Sequence, residues 1–177
     1  MSLYDKMAAA AILSGQYDDG LTTCHNVEVS ASPNHIQHAG GIGRTGVQFN
    51  AWASGLGVSV KSVHINFRKY GLPTGNITIN IRKGSDDKVA ATIGTFPIES
   101  FHANMEQQLT LRNRLGGNTY NMVSGDRVSI EYPRNAVNGF EIATNSVLSD
   151  PTSYTSQSHN GTSWSITSDP LAIIIKS

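Results

Sequence analysis

Residues 62–82, SVHINFRKYGLPTGNITINIR, decide the fold. Val63, Ile65 and Phe67 alternate with His64, Asn66 and Arg68. After Gly71-Leu72-Pro73-Thr74-Gly75, the residues Ile77, Ile79 and Ile81 alternate with Thr78, Asn80 and Arg82. Period two belongs to a strand with one buried and one polar face. The glycines and proline between the runs are turn formers, so the two runs read as an antiparallel hairpin.

Outward from this stretch the pattern continues. Gly84-Ser85-Asp86-Asp87 is the next turn, and Val89, Ala91 and Ile93 extend the meander. Further strands are read at 26–30, 46–53, 107–112, 127–132, 139–144, 163–167 and 171–176. The last carries Leu171, Ile173 and Ile175 with Ile174 on its other face. A terminal strand this apolar belongs in the middle of a sheet, because an exposed apolar edge aggregates. About ten short strands between turn signals, with no long helical period, make the pattern of a sandwich or barrel. The expected fold is an all-β, antiparallel two-sheet jelly-roll sandwich over 21–177. Residues 1–20 form a helical or extended N-terminal segment, since 4–14 favours a short helix that Gly15 stops. The expected core is Val63, Ile65, Phe67, Ile77, Ile79, Ile81, Val128 and Ile130.

Composition narrows the function classes. The chain has 177 residues, which suits one domain. Its 13 basic and 13 acidic side chains cancel, so it shows no electrostatic footprint for nucleic acid. The longest apolar stretch, Met7 to Leu13, falls far short of the roughly 20 residues of a membrane-spanning helix. The lone cysteine, Cys24, excludes an intrachain disulfide and a four-cysteine zinc site. It reads as a small buried residue. His25 is badly placed to activate it, because adjacent residues of an extended chain face opposite ways.

Three segments carry a resemblance: Val63 to Lys69 running through Gly71-Leu72-Pro73-Thr74-Gly75 into Asn76 to Arg82; Ser124-Gly125-Asp126-Arg127-Val128 leading into Ile130-Glu131-Tyr132; and Asn160-Gly161-Thr162-Ser163-Trp164. Over Val47 to Trp164 the chain resembles jelly-roll modules of microbial secreted, cell-surface and phage structural proteins, similar to carbohydrate-binding modules. The resemblance implies a jelly roll with a non-catalytic role in display, adhesion or glycan contact. It supplies no catalytic motif.

Catalytic signatures are missing from the residues too: there is no G-x-S-x-G elbow, P-loop, dinucleotide glycine pattern or H-E-x-x-H helix. The protein is therefore read as no enzyme. His35 and His38 are spaced for a metal only on a helix, whereas Pro33 and Gly40-Gly41 argue for a loop. Glu131, alone of Glu99, Glu106, Glu131 and Glu141, reads as mid-strand on a polar face, the position a glycosidase acid needs alongside a second carboxylate. No cofactor is expected. Asp86, Asp87, Asp126, Asp150 and Asp169 sit in turns and are suited either to turn formation or to a structural calcium.

The polar strand faces are the expected ligand site: His64, Asn66, Arg68, Asn80, Arg82 and Glu131, with Tyr70 and Trp164 as stacking platforms. If they share one sheet, they present planar hydrogen-bonding groups suited to sugar hydroxyls. The leading expectation is a non-catalytic β-sandwich module that binds carbohydrate or mediates adhesion, working outside the cell, at its surface or on a virion. A phage or virion subunit acting through homo-oligomeric self-association is the first alternative, and a carbohydrate-active enzyme the second.

Overall fold

The computed structural model describes residues 20–27, 34–36, 42–101, 106–112, 118–133, 139–145, 153–167 and 170–177. The short helix expected at 4–14 lies outside them. The strands are β1 (Thr23–Asn26), β2 (Asn34–Ile36), β3 (Ile42–Phe49), β4 (Ser62–Tyr70), β5 (Asn76–Arg82), β6 (Val89–Pro97), β7 (Glu106–Arg112), β8 (Arg127–Pro133), β9 (Gly139–Thr144), β10 (Tyr154–His159), β11 (Trp164–Ile166) and β12 (Ile173–Lys176). Every strand pairing is antiparallel.

The strands form two sheets. In the first, β4 is central. β7 pairs along residues 62–68, and β12 and β9 lie end to end on the opposite edge, against 62–65 and 67–70. β1 flanks β12, and β2 flanks β9. The second sheet runs β11-β10-β3-β8-β5-β6. Val63, Ile65, Phe67, Phe140, Ile142, Ile173 and Ile175 of the first sheet pack with Val47, Phe49, Ile77, Ile79, Ile81, Val128, Ile130 and Tyr132 of the second. This is a β-sandwich. All eight core residues read from the alternation are fully buried, and each such side chain contributes roughly 1.5–3 kcal/mol by leaving water. β12 lies between β1 and β4, as its apolar sequence requires.

The hairpin expected across 71–75 is corrected. β4 belongs to the first sheet and β5 to the second, so this segment is a corner that crosses the sandwich. Alternation reports which face of a strand is buried, and both strands bury one, but it does not name the partner. The corner is fixed by the 3₁₀ turn Ile98–Ser100 after β6. Gly75 N–H donates to the Glu99 carboxylate at 2.8 Å, and Ile98 N–H donates to the Gly75 carbonyl at 2.8 Å. Lys69 continues the inward series of β4, and its ammonium reaches the Ile98 carbonyl at 3.4 Å. The hairpin of this region is β5–β6, closed by Lys83 N–H to the Lys88 carbonyl at 3.0 Å.

Other boundaries also shift. β1 begins before the expected 26–30, β2 forms at Asn34–Ile36 where a loop was expected, β3 runs 42–49 in place of 46–53, and β10 was not expected at all. Its sequence, YTSQSH, has no apolar alternation.

Candidate functional site: the outer face of the second sheet

The register of the second sheet lays its outward side chains in rows. One runs Trp164, His159, Arg44, Glu131, Thr78 and Thr95. The next runs Ile166, Gln157, Gly46, Ser129, Asn80 and Thr92. The third runs Thr155, Gln48, Arg127, Arg82 and Val89. The opposite sides of β3, β5 and β8 point into the core, which forces these residues outward together.

Two carboxylates organise the face. Glu131 Oε1 accepts from Arg82 Nε at 2.7 Å, Asn80 Nδ2 at 2.9 Å and Ser129 Oγ at 3.2 Å. Its Oε2 lies 3.7 Å from Arg44 Nε. Asn80 in turn accepts from Thr92 Oγ1 at 2.7 Å. The second carboxylate, Asp87, comes from the β5–β6 turn. It accepts from the indole Nε1 of Trp164 at 2.8 Å and pairs with Arg44, Arg82 and Arg127 at 3.5, 3.6 and 3.9 Å. Arg127 donates to Gln157 at 2.6 Å, Gln157 donates to Gln48, and the Arg127 guanidinium lies 5.3 Å from the centre of the Trp164 ring. His159 meets the same ring edge-on at 5.0 Å.

Local backbone explains how Asp87 arrives there. Its φ is 57°, the one left-handed non-glycine residue among those described. That conformation costs on the order of 1 kcal/mol or more and persists where surroundings enforce it. Asp87 N–H donates to the Lys83 carbonyl at 3.0 Å, and Lys88 N–H to Asp86 Oδ1 at 3.1 Å. Gly84 packs against the backbone of Gly125, where a Cβ would lie 2.4 Å from the Gly125 carbonyl oxygen. Buried Asp126 clamps this contact, accepting from Gly84 N–H at 3.0 Å, Val123 N–H at 2.9 Å and Tyr120 Oη at 2.8 Å. Desolvation and that bond to Asp126 push the Tyr120 pKa up to about 12.

The electrostatics follow. Three guanidinium groups face two carboxylates. Desolvation raises the pKa of Glu131, but hydrogen bonds from Arg82 and Asn80 and the charges of Arg82 and Arg44 outweigh it, and the carboxyl sits below its ordinary value. A glycosidase proton donor needs the opposite shift. His159 is lowered as well, by burial first and the Arg44 charge second.

The expected site residues divide between the sheets. Asn80, Arg82, Glu131 and Trp164 meet on this face. His64, Asn66, Arg68 and Tyr70 lie on β4, in the other sheet, so the single patch is corrected to two. There Arg68 Nε binds buried Glu141, whose Oε1 has no hydrogen-bond partner among the described residues, and the Tyr70 ring lies over Gly139. Tyr70 and Trp164 therefore cannot flank one ligand.

Arg44, Gln157 and His159 are not among the expected site residues, and Asp87 is expected only as a turn or calcium aspartate. Arg44 precedes the expected start of its strand, Asp87 resembles any turn aspartate, and β10 lacks the apolar residues that reveal a strand. Asp86, Asp87 and Asp126 are occupied by N–H, hydroxyl and cationic donors of the chain itself. Asp150, Asp169 and His38 lie outside the described residues. Among the described residues, no group of three or more His, Cys, Asp or Glu side chains is placed to hold a metal ion, and no helix is long and apolar enough to cross a membrane.

Cys24 is buried, and so is the adjacent His25. The β1–β12 register shifts between Thr23 and His25, and this bulge buries both side chains. The His25 ring packs on Tyr154 at 4.4 Å, and burial lowers its pKa to about 4. Compared with known proteins, the chain matches no family model and no curated sequence.

Proposed function

We propose that this chain is a non-catalytic jelly-roll module that binds carbohydrate on the outer face of its second sheet. The reading places it outside the cell, on a cell surface or on a virion, where such modules mediate adhesion. The observation that carries it is the anchoring of Trp164 by Asp87 beside a fixed array of planar polar groups: Arg44, Arg82, Arg127, Asn80 and Glu131.

Sugar recognition asks for this pairing of chemistry. An aromatic face covers the apolar side of a pyranose, and bidentate donors and acceptors address its hydroxyls. Here the polar groups hold one another in place, so a ligand pays little to order them. Trp164 is half-buried and Arg44 partly open, while Ile166 next to Trp164 is exposed. Glu131, held ionised by Arg82, is suited to accept hydrogen bonds and unsuited to donate a proton, which favours binding over hydrolysis.

A glycan array and co-sedimentation with insoluble polysaccharides test the reading. Retention of the chain on a saccharide supports it. Failure to bind any saccharide, together with a defined oligomer by light scattering, would favour the self-assembling virion subunit.

A further inference from the structure

The turn between β10 and β11 holds Asn160-Gly161, and three hydrogen bonds surround the atoms that react when an asparagine cyclises onto a following glycine. Gly161 N–H donates to His159 Nδ1 at 3.0 Å. The Asn160 side-chain oxygen accepts from the backbone N–H groups of Thr162 and Ser163, each at 2.9 Å. Residues 160–163 are exposed, and nothing lies within 4 Å of where a Cβ on Gly161 would be.

We propose that Asn160-Gly161 is a self-modifying site, at which His159 acts as general base for conversion of Asn160 to an aspartyl or isoaspartyl residue. The Gly161 nitrogen forms a bond to Asn160 Cγ while its proton passes to His159 Nδ1. Negative charge develops on Asn160 Oδ1, where two N–H donors already point, the arrangement of an oxyanion hole. The Cγ–Nδ2 bond then breaks, His159 returns the proton to the departing nitrogen, and ammonia leaves. A cyclic imide remains. Solvent water opens it at either carbonyl, and no oxidant or other reactant is needed.

The imidazole is suited to this role. Nδ1 accepts a hydrogen bond, so the ring proton resides on Nε2. The groups around it are Arg44 on β3, Trp164 on β11, and Arg82, Arg127 and Asp87 across the face. Burial and the net positive charge of these neighbours favour the neutral ring that a base requires. The same dipeptide recurs at Asn138-Gly139, where Gly139 pairs in β9 beneath Tyr70. It serves as an internal control. Conversion at Asn160 would also alter the turn that sets Trp164, since an isoaspartyl link lengthens the backbone and releases the Thr162 and Ser163 N–H groups.

The test is peptide mapping by mass spectrometry of the full chain, incubated near neutral pH either folded or in urea. A positioned base contributes on the order of 100-fold, so Asn160 should convert faster folded than unfolded by about that factor, and Asn138 should not. The folded-state rate should be flat across the neutral range, whereas in urea it climbs with pH. His159→Gln should bring Asn160 down to the unfolded rate or below. Conversion of Asn160 that is no faster folded than in urea overturns the proposal, and so does a folded His159→Gln variant that converts as fast as the parent. Should that variant not fold, the folded-versus-urea comparison decides alone.

Discussion

The indole N–H of Trp164 donates to a carboxylate oxygen of Asp87 at 2.8 Å, joining β11, at one edge of the second sheet, to the turn that leaves β5 near the other. The bond reaches over β10, β3 and β8, and the same carboxylate neutralises arginines on three strands. Asp87→Ala leaves Arg82 and Arg127, both largely buried, without that charge. A broken buried pair costs 3–5 kcal/mol. Because Asp87 is itself about a third exposed, a loss of about 1–3 kcal/mol is expected in urea unfolding. Asp87→Asn keeps an acceptor and tolerates the left-handed backbone, so it should lose less.

Acid should weaken the fold through His25. Its folded-state pKa is depressed to about 4 from 6.5, so the unfolded chain takes up the proton first as pH falls. The contribution is complete above pH 6.5 and is lost progressively toward about 4. Its size is on the order of 3 kcal/mol. Urea midpoints measured across this window should fall for the parent chain and fall less for His25→Phe. A residual slope should remain, because His159 is shifted in the same direction.

Gly46 should tolerate no side chain. It lies on β3 between Arg44 and Gln48, and a Cβ there would stand 2.7 Å from the Val128 carbonyl oxygen. Gly46→Ala must part β3 from β8 beneath the polar face. A loss of about 1–3 kcal/mol is expected by thermal or urea unfolding.

The sandwich was legible because its core residues alternate. Val63 to Phe67, Ile77 to Ile81 and Val128 to Ile130 announced both their strands and their buried faces. Strand pairing was not legible. Nothing in Gly71 to Gly75 distinguishes a hairpin turn from a corner, because what fixes the corner is Glu99, more than twenty residues away. The site was half legible for the same reason. Asn80, Arg82 and Glu131 alternate with apolar residues on clear strands, whereas His159 and Gln157 lie on a strand held by polar contacts. Asp87 acquires its role only when its turn folds back over the sheet.

Carbohydrate should bind the face that carries Trp164. Titration calorimetry with a saccharide found by array should show binding to the parent chain and to Arg68→Ala, which alters only the other sheet. Trp164→Ala and Arg44→Ala should each weaken it by about 1–3 kcal/mol, or roughly 5- to 150-fold, as expected for anchor residues. Circular dichroism should show both variants folded. Binding that survives Trp164→Ala and Arg44→Ala intact, or that is lost in Arg68→Ala, would contradict a saccharide site on this face.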